Sequence, residues 1–143
     1  MTTLLNIARP LTVGNDGAFS SDENISDLVK QNLKNLLLTQ KGERVMRRSF
    51  GTSLTRLLFE QKTDQLKMSI AEEITGAVST WMNYIVLDAI TIVFSHESLP
   101  EKFRFLQDAQ ENEVKIIIEF RFNALSKTIR EILDLTVEVA ESV

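Results

Sequence analysis

The sequence of 143 residues contains no cysteine and only one histidine. The absence of cysteine excludes a disulfide framework and any thiolate metal site. The single histidine, His96, lies in the polar segment Ser-His-Glu-Ser. It could act as a general base beside Glu97, but no nucleophile can be identified as its partner. We therefore interpret His96 as a solvated loop residue.

Long apolar runs are also absent. No segment has the roughly 20 consecutive apolar residues that a transmembrane helix needs. The first residues, MTTLLNIARP, lack the charged and apolar regions of a signal peptide. The net charge is −4 and the pI is near 5.1, whereas a nucleic-acid binder usually carries a basic face. We expect no nucleic acid and no membrane among the partners, and a location in the cytoplasm or in a particle assembled there.

No arrangement of catalytic residues can be recognised. The acidic residues Glu43, Glu60, Asp88 and Glu119 do not stand out as an acid and base pair. The glycine turn at 14–17 is not followed by the lysine and threonine of a phosphate loop. A cluster of carboxylates or histidines suited to a metal is not found either. The sequence predicts no catalytic, cofactor-binding or metal site, and no cofactor.

The length predicts a single domain, residues 1–143, because domains cluster at roughly 100–150 residues. Residues 1–19, which include Pro10 and the turn at 14–17, are predicted to form an extended N-terminal arm. Residues 20–84 are predicted to be helical.

Three helices are predicted in this part. A capping box of Ser20 and Glu23 starts the first helix, which should run to about Thr39. A second, short helix is predicted to end near Phe59. Thr63 is expected to cap the third helix.

The third helix should present an apolar face that ends at Trp81. Gly76 lies inside it, at a cost of up to about 1 kcal/mol relative to alanine. We expect that Gly76 allows close packing against a neighbouring helix.

Residues 85–143 have the period of strands. Three are predicted, at Val86–Phe94, Glu113–Phe122 and Leu133–Val139. The segment 95–112 leaves open whether it contains a further short strand. The order of elements predicts an α+β fold with the N-terminal helices packed on one face of a small, mainly antiparallel C-terminal β-sheet.

The stretch LLLTQKGERVMRRSFGTSLTRLLFE, residues 36–60, predicts a rigid corner between helices. Gly42 and Gly51 flank the densest basic cluster of the chain, and Phe50 can serve as an apolar anchor. Two interpretations of the arginines stay open and are compatible. They can form an intramolecular ion-pair network, or the outer ones can contact a partner.

The same stretch resembles the small baseplate wedge proteins of contractile phage tails. That family includes the sheath initiators of bacterial injection machines and the related type VI secretion baseplate component. The resemblance rests on Leu38-Thr39, Gly42-Glu43-Arg44, Phe50-Gly51 and the run Leu57-Leu58-Phe59-Glu60. It covers roughly residues 10–140.

The resemblance implies a structural protein without enzymatic activity, located in the baseplate of a virion tail or injection particle. It implies binding to other wedge proteins and to the sheath protein, with tube or hub proteins as further candidates, in a ring of six copies. The family's Glu-Pro-Arg motif is replaced here by the segment 81–85, where apolar packing of Met82 and Tyr84 could take over its contact. The predicted corner and wedge-contact residues are Gly42, Glu43, Arg44, Phe50, Gly51, Trp81, Met82 and Tyr84.

The terminal strand supplies a physical means for starting a sheath, because an unpaired strand edge can accept a strand from another subunit. We expect a sheath-facing hairpin that nucleates the sheath by strand exchange, and an ordinary internal strand is the competing interpretation. Deletion of residues 133–143 is then expected to leave a folded protein that still joins the wedge but cannot start a sheath. The predicted sheath-facing residues are Ile116, Ile118, Phe120, Leu133, Leu135, Val137 and Val139.

Two other classes of function stay open. A stand-alone regulatory protein similar to the anti-adaptors of the bacterial stress response would share this architecture. A peptidoglycan hydrolase is the third class, since some members of the family have carried a lysozyme label. Copurification with sheath and wedge proteins, or clearing of cell walls, would distinguish them.

Overall fold

The computed structural model describes residues 6–7, 21–22, 25–95, 97–106, 113–124 and 127–138. In the predicted arm, Asn6–Ile7 (β1) pairs antiparallel with Ser21–Asp22 (β2), so the part predicted to be helical from residue 20 contains a short strand near its start. The predicted turn at 14–17, the capping box of Ser20 and Glu23, and His96 lie outside the described residues.

Three helices form where the apolar spacing predicts them. They are α1 (Ile25–Leu38), α2 (Leu54–Leu57) and α3 (Asp64–Trp81). The side-chain oxygen of Thr63 accepts a hydrogen bond from the Leu66 N–H at 3.2 Å, which confirms the predicted cap of α3. None of the helices in the described ranges is long and apolar enough to cross a membrane.

The expectation for Gly76 is wrong. A Cβ built at this residue would meet no heavy atom within 4 Å. Gly76 lies on the solvent side of α3, whereas Ala77 and Val78 face the core. The apolar face of α3 is complete without Gly76, and no helix in the described ranges approaches there.

Three antiparallel strands form the main sheet, which confirms the predicted α+β fold. The strands β3 (Ile85–Phe94), β4 (Glu113–Ala124) and β5 (Lys127–Glu138) pair in the order β3-β4-β5. β5 begins before the predicted start at Leu133, because its pairing with β4 continues to the Ala124–Lys127 pair.

The helices cover one face of this sheet. Their apolar faces pack against the alternate residues of β4 and β5 that point to the same side, and these form the main core of the protein. Ile70 and Ile74 of α3 and Ile116 of β4 are fully buried in it.

The opposite face of the sheet carries a second, smaller core. Ile117 of β4 packs there with Val93, Leu99 and Phe103, and Leu106 lies partly buried beside them. The segment 97–106 supplies this cover and contains a 3-10 turn at Glu101–Phe103, with no strand among its residues. This cover was not predicted from the sequence.

The side chain of Lys115 is buried on the same face of the sheet as the second core. It points to the outer side of β4 as the alternation predicts, yet its exposed fraction is only 4%. Its ammonium nitrogen lies 3.4 Å from a carboxylate oxygen of Asp134 on β5. Burial of this charge is tolerated because a carboxylate compensates it.

Candidate functional site

The corner between α1 and α2 is closed by backbone hydrogen bonds. The Gly42 N–H donates to the Arg48 carbonyl at 2.7 Å, so residues 42–48 form a tight loop. At its base the Lys41 N–H donates to the Thr52 carbonyl at 3.2 Å, and the Thr52 N–H donates to the Thr39 carbonyl at 2.8 Å. The corner is therefore held in one shape by its own backbone.

The two glycines of the corner have different roles. Both have positive φ, +94° at Gly42 and +111° at Gly51. A Cβ at Gly51 would lie 2.2 Å from the Thr39 carbonyl oxygen, whereas a Cβ at Gly42 would meet nothing within 4 Å. Gly51 is required by both backbone conformation and space, and Gly42 by conformation alone.

An aromatic and cationic stack extends from the corner to the end of α3. The guanidinium carbon of Arg44 lies 4.5 Å from the centre of the Phe50 ring. The Phe50 and Trp81 rings meet edge to face, with centres 5.2 Å apart and planes at 68°. Phe50 is thus the apolar anchor that the sequence predicted, and it connects the corner to α3.

This stack borders a cleft of about 670 Å³ between the end of α1, the corner and the end of α3. The structure brings together at this cleft six predicted wedge-contact residues from two separate segments. They are Glu43, Arg44, Phe50, Trp81, Met82 and Tyr84.

The other two predicted residues, Gly42 and Gly51, shape the backbone beside the cleft. Met82 is buried in the main core, and half-exposed Tyr84 stands at the cleft rim. Partial burial raises the pKa of the Tyr84 phenol, and a hydrogen bond with Asn32 acts in the opposite direction. The phenol therefore presents a neutral hydroxyl to the cleft at pH 7.

The cleft also contains residues that the sequence analysis missed. Asn32, Asn35 and Thr39 of the first helical segment line it. Their spacing of three and four places them on one stripe of the helix, so this polar stripe was a usable signal. Thr52 was missed as well. Its buried hydroxyl donates to the Leu37 carbonyl at 2.8 Å, which fixes the corner to α1.

The ion pair of the corner differs from the expected network. Lys41, rather than an arginine, pairs with Glu73 of α3, at 2.7 Å between the ammonium nitrogen and a carboxylate oxygen. The same oxygen accepts a hydrogen bond from the Ser53 N–H at 2.8 Å. The Lys41 ammonium, with help from Ser53, lowers the pKa of Glu73.

The arginines stay outside this pair. Within the described part of the chain, Arg44, Arg47 and Arg48 form no ion pair with a carboxylate. Glu43 instead accepts a hydrogen bond from the Gln40 N–H at 3.0 Å. The expected intramolecular network of arginines is therefore absent among these residues, and their charges are available to a partner.

A second candidate surface is the free edge of β5. Among the described strands, β5 pairs only with β4, over the whole of Lys127–Glu138 and with no interruption of the register. The opposite edge, on β3, is interrupted by a register shift between Leu87 and Ala89. An edge with a bulge accepts a further strand poorly. The β5 edge is thus the regular one.

The described side chains that were predicted to face the sheath point into the main core instead. Ile116, Ile118 and Phe120 lie on the central strand β4, and their side chains are buried in the main core. Leu133 and Leu135 are exposed by only 7% and 2%.

Val137 packs against the same core, and Val139 lies outside the described residues. The inward direction of these side chains follows from the strand alternation, because α1 covers that side of β5. An incoming chain would find the β5 backbone and the exposed residues of its outer side. These residues are Arg130, Ile132, Asp134, Thr136 and Glu138.

The described residues contain no group of three or more His, Asp or Glu that could hold a metal ion. The two surfaces offer different chemistry. The cleft has aromatic rings, amides and an arginine, which suits binding of a protein segment. Among the described strands, none pairs with the outer edge of β5, and its backbone donors and acceptors suit strand addition.

Comparisons with known proteins give a family and a fold. The sequence profile of a family described as baseplate wedge protein gp25 matches residues 23–126. No curated protein matches the chain. Among solved structures, the chain is similar to a protein of Geobacter sulfurreducens named as a tail lysozyme. The identity is 22% and the TM-score 0.61, over 84% of this chain and 96% of that chain.

Two baseplate structures are similar as well. A chain in the post-contracted baseplate of pyocin R2 has 20% identity and a TM-score of 0.55, over 83% of this chain and 98% of that chain. A chain in the six-fold symmetrised baseplate of the anti-feeding prophage has 23% identity and a TM-score of 0.55, over 90% of this chain and 81% of that chain. At these identities the structural likeness shows the shared fold.

Proposed function

Because the chain belongs to the baseplate wedge protein gp25 family and is a structural component of a contractile-tail baseplate, we propose that it has two tasks there. It binds other wedge proteins at the corner cleft, and it starts the sheath by accepting a sheath strand at the edge of β5. The observation that carries this proposal is the uninterrupted, one-sided pairing of β5 in the described sheet.

The cleft is suited to the wedge contact because its walls are fixed before any partner arrives. The closed backbone of 42–48 and the Phe50–Trp81 contact hold two of its sides, and the Lys41–Glu73 pair connects the corner to α3 outside the cleft. A preorganised site loses less conformational entropy on binding than a flexible one. Arg44 at its rim can bind a carboxylate of the partner through two parallel hydrogen bonds.

The β5 edge is suited to strand addition by its length. About half of its 12 residues direct their N–H and C=O groups away from β4. Each backbone hydrogen bond formed there contributes about 0.5–1.5 kcal/mol. The outer residues Arg130, Asp134 and Glu138 would select the register and direction of the incoming strand.

The burial of Leu133 and Leu135 changes the effect that we expect from deleting residues 133–143. Leu133 and Leu135 belong to the main core, so their removal would unfold the sheet instead of leaving a folded protein. A test of the sheath contact must therefore keep β5 intact.

A cysteine cross-link provides such a test, since the chain has no cysteine of its own. Thr136→Cys places a photoreactive maleimide on the exposed side of β5, and Ser79→Cys places it on the exposed side of α3 as a matched control. In intact particles we expect the probe on residue 136 to cross-link to the sheath protein and the probe on residue 79 not to. Equal cross-linking from both positions, or none to sheath from residue 136, would contradict the proposal.

We propose no catalytic role for the protein. We also propose that several copies form a ring, since a similar chain occurs in the six-fold symmetrised baseplate of the anti-feeding prophage. Purified protein is expected to leave a suspension of cell walls turbid. Clearing that is lost on replacement of one carboxylate would favour the hydrolase class instead.

A further inference from the structure

The outer end of the corner carries two adjacent apolar side chains that the functions above do not use. We define residues 44–48, Arg-Val-Met-Arg-Arg, as the corner tip. The exposed fraction is 86% for Val45 and 95% for Met46, the highest of the large apolar residues in the described ranges. Single exposed apolar residues are common on protein surfaces, but here two lie side by side at the end of a rigid loop.

The backbone of the corner tip is strained at the same place. Met46 has φ +68°, and it is the only non-glycine residue with positive φ in the part of the chain that the structure describes. Methionine has no local hydrogen bond that would favour this conformation. The Gly42–Arg48 and Arg47–Arg44 backbone hydrogen bonds maintain it. Strain of this kind concentrates at functional surfaces.

The charge of the corner tip contrasts with the acidic chain around it. Arg44, Arg47 and Arg48 flank the two apolar residues in the sequence, and they form no ion pair among the described residues, while the whole chain has a net charge of −4. All three cations are arginines, whose planar guanidinium groups bind carboxylates in pairs of hydrogen bonds. Arginine and methionine are enriched in protein interfaces, where lysine is depleted.

We propose that the corner tip is a plug that docks into another baseplate protein. Val45 and Met46 enter an apolar pocket of that protein, and Arg47 and Arg48 bind aspartate or glutamate side chains at the pocket rim. A protein partner fits better than a lipid surface, because two apolar side chains bury little area in a membrane while the fixed loop suits a shaped pocket. The inference rests on baseplate membership and not on the sheath contact of β5.

Variants at Met46 separate docking from folding. Asparagine accepts positive φ, so Met46→Asn should melt at the same temperature as the wild type or higher. Met46→Asn loses the apolar contact that the methionine would make in the partner's pocket, so incorporation of this variant into baseplates should fall by about tenfold or more. Met46→Leu keeps an apolar side chain and should incorporate nearly as the wild type does. Normal incorporation of Met46→Asn, or a lower melting temperature for it, would overturn the proposal.

A cross-link identifies the partner. Met46→Cys carrying a benzophenone maleimide is compared, in intact particles, with Met68→Cys at an exposed position of α3. We expect residue 46 alone to cross-link to a baseplate protein, at a peptide where apolar residues are flanked by Asp or Glu. Cross-links to lipid or nucleic acid, to a peptide without acidic residues, or equally from residue 68 would overturn the proposal. Failure of the sheath contact would look different, because baseplates would still form but carry no sheath.

Discussion

Replacing glycines by alanine tests the rigid corner, because three glycines of the chain are expected to respond differently. At Gly51, alanine must adopt φ +111° and place its Cβ 2.2 Å from the Thr39 carbonyl oxygen. At Gly42 the backbone conformation is unfavourable but the space is open. At Gly76, inside α3, neither constraint exists.

The magnitudes follow from these differences. A positive φ costs a residue with a Cβ about 1–2 kcal/mol. At Gly51 the displaced Thr39 carbonyl also weakens its hydrogen bond with the Thr52 N–H, which adds about 0.5–1.5 kcal/mol. We expect Gly51→Ala to lower the free energy of unfolding by about 1.5–3.5 kcal/mol and Gly42→Ala by about 1–2 kcal/mol. Gly76→Ala should raise it by about 0.5–1 kcal/mol, since alanine is the better helix former.

Urea unfolding followed by circular dichroism measures all three changes against the wild type. For a chain of this size each kcal/mol corresponds to roughly 2–4 °C in melting temperature, so thermal unfolding provides a second measurement. The reasoning is refuted if Gly42→Ala costs as much as Gly51→Ala. It is also refuted if Gly76→Ala destabilises the protein.

Three further predictions concern the contacts around the corner and the sheet. Lysine partners lower the pKa of Glu73 and Glu131 below the ordinary value of 4.5, so their stabilisation is complete above pH 4.5 and is lost as the pH falls through the lowered values. The Glu73→Gln variant should therefore lose less unfolding free energy than the wild type as the pH falls below 4.5. An unchanged dependence of the unfolding free energy on pH would contradict the role of this ion pair. Arg44→Ala should lower the free energy of unfolding by about 0.5–1 kcal/mol through the lost ring contact and impair baseplate assembly; an unchanged melting temperature with normal tails would count against it. Phe103→Ala should cost about 3–5 kcal/mol by opening the second core, whereas Phe105→Ala, at an exposed position, should stay within about 0.5 kcal/mol in the same urea assay.

The sequence predicts well those features that depend on local periodicity. The helix cap at Thr63 and the alternation of β4 are local patterns, and the structure confirms both. The convergence of the corner with Trp81 and Tyr84 at one cleft could be expected only from the resemblance to the wedge family. Nothing in the spacing of these residues indicates that the two segments meet.

The remaining features depend on contacts between distant parts of the chain. Lys41 and Glu73 are 32 residues apart, so the corner ion pair has no local signature. The burial of Leu133 and Leu135 depends on where α1 lies, because a clean alternation is equally compatible with an inward and an outward apolar side. Ile117 is covered by the polar segment 97–106. The phenylalanines of that segment show no regular apolar spacing from which a buried element could be predicted.

Cryo-electron microscopy of an intact, extended particle at side-chain resolution can show directly which chain lies against the edge of β5. We expect a strand of the sheath protein to be hydrogen-bonded along Lys127–Glu138, as a fourth strand beside β3, β4 and β5. A map in which that edge is covered by this chain itself, or faces solvent beneath a complete sheath, would contradict it.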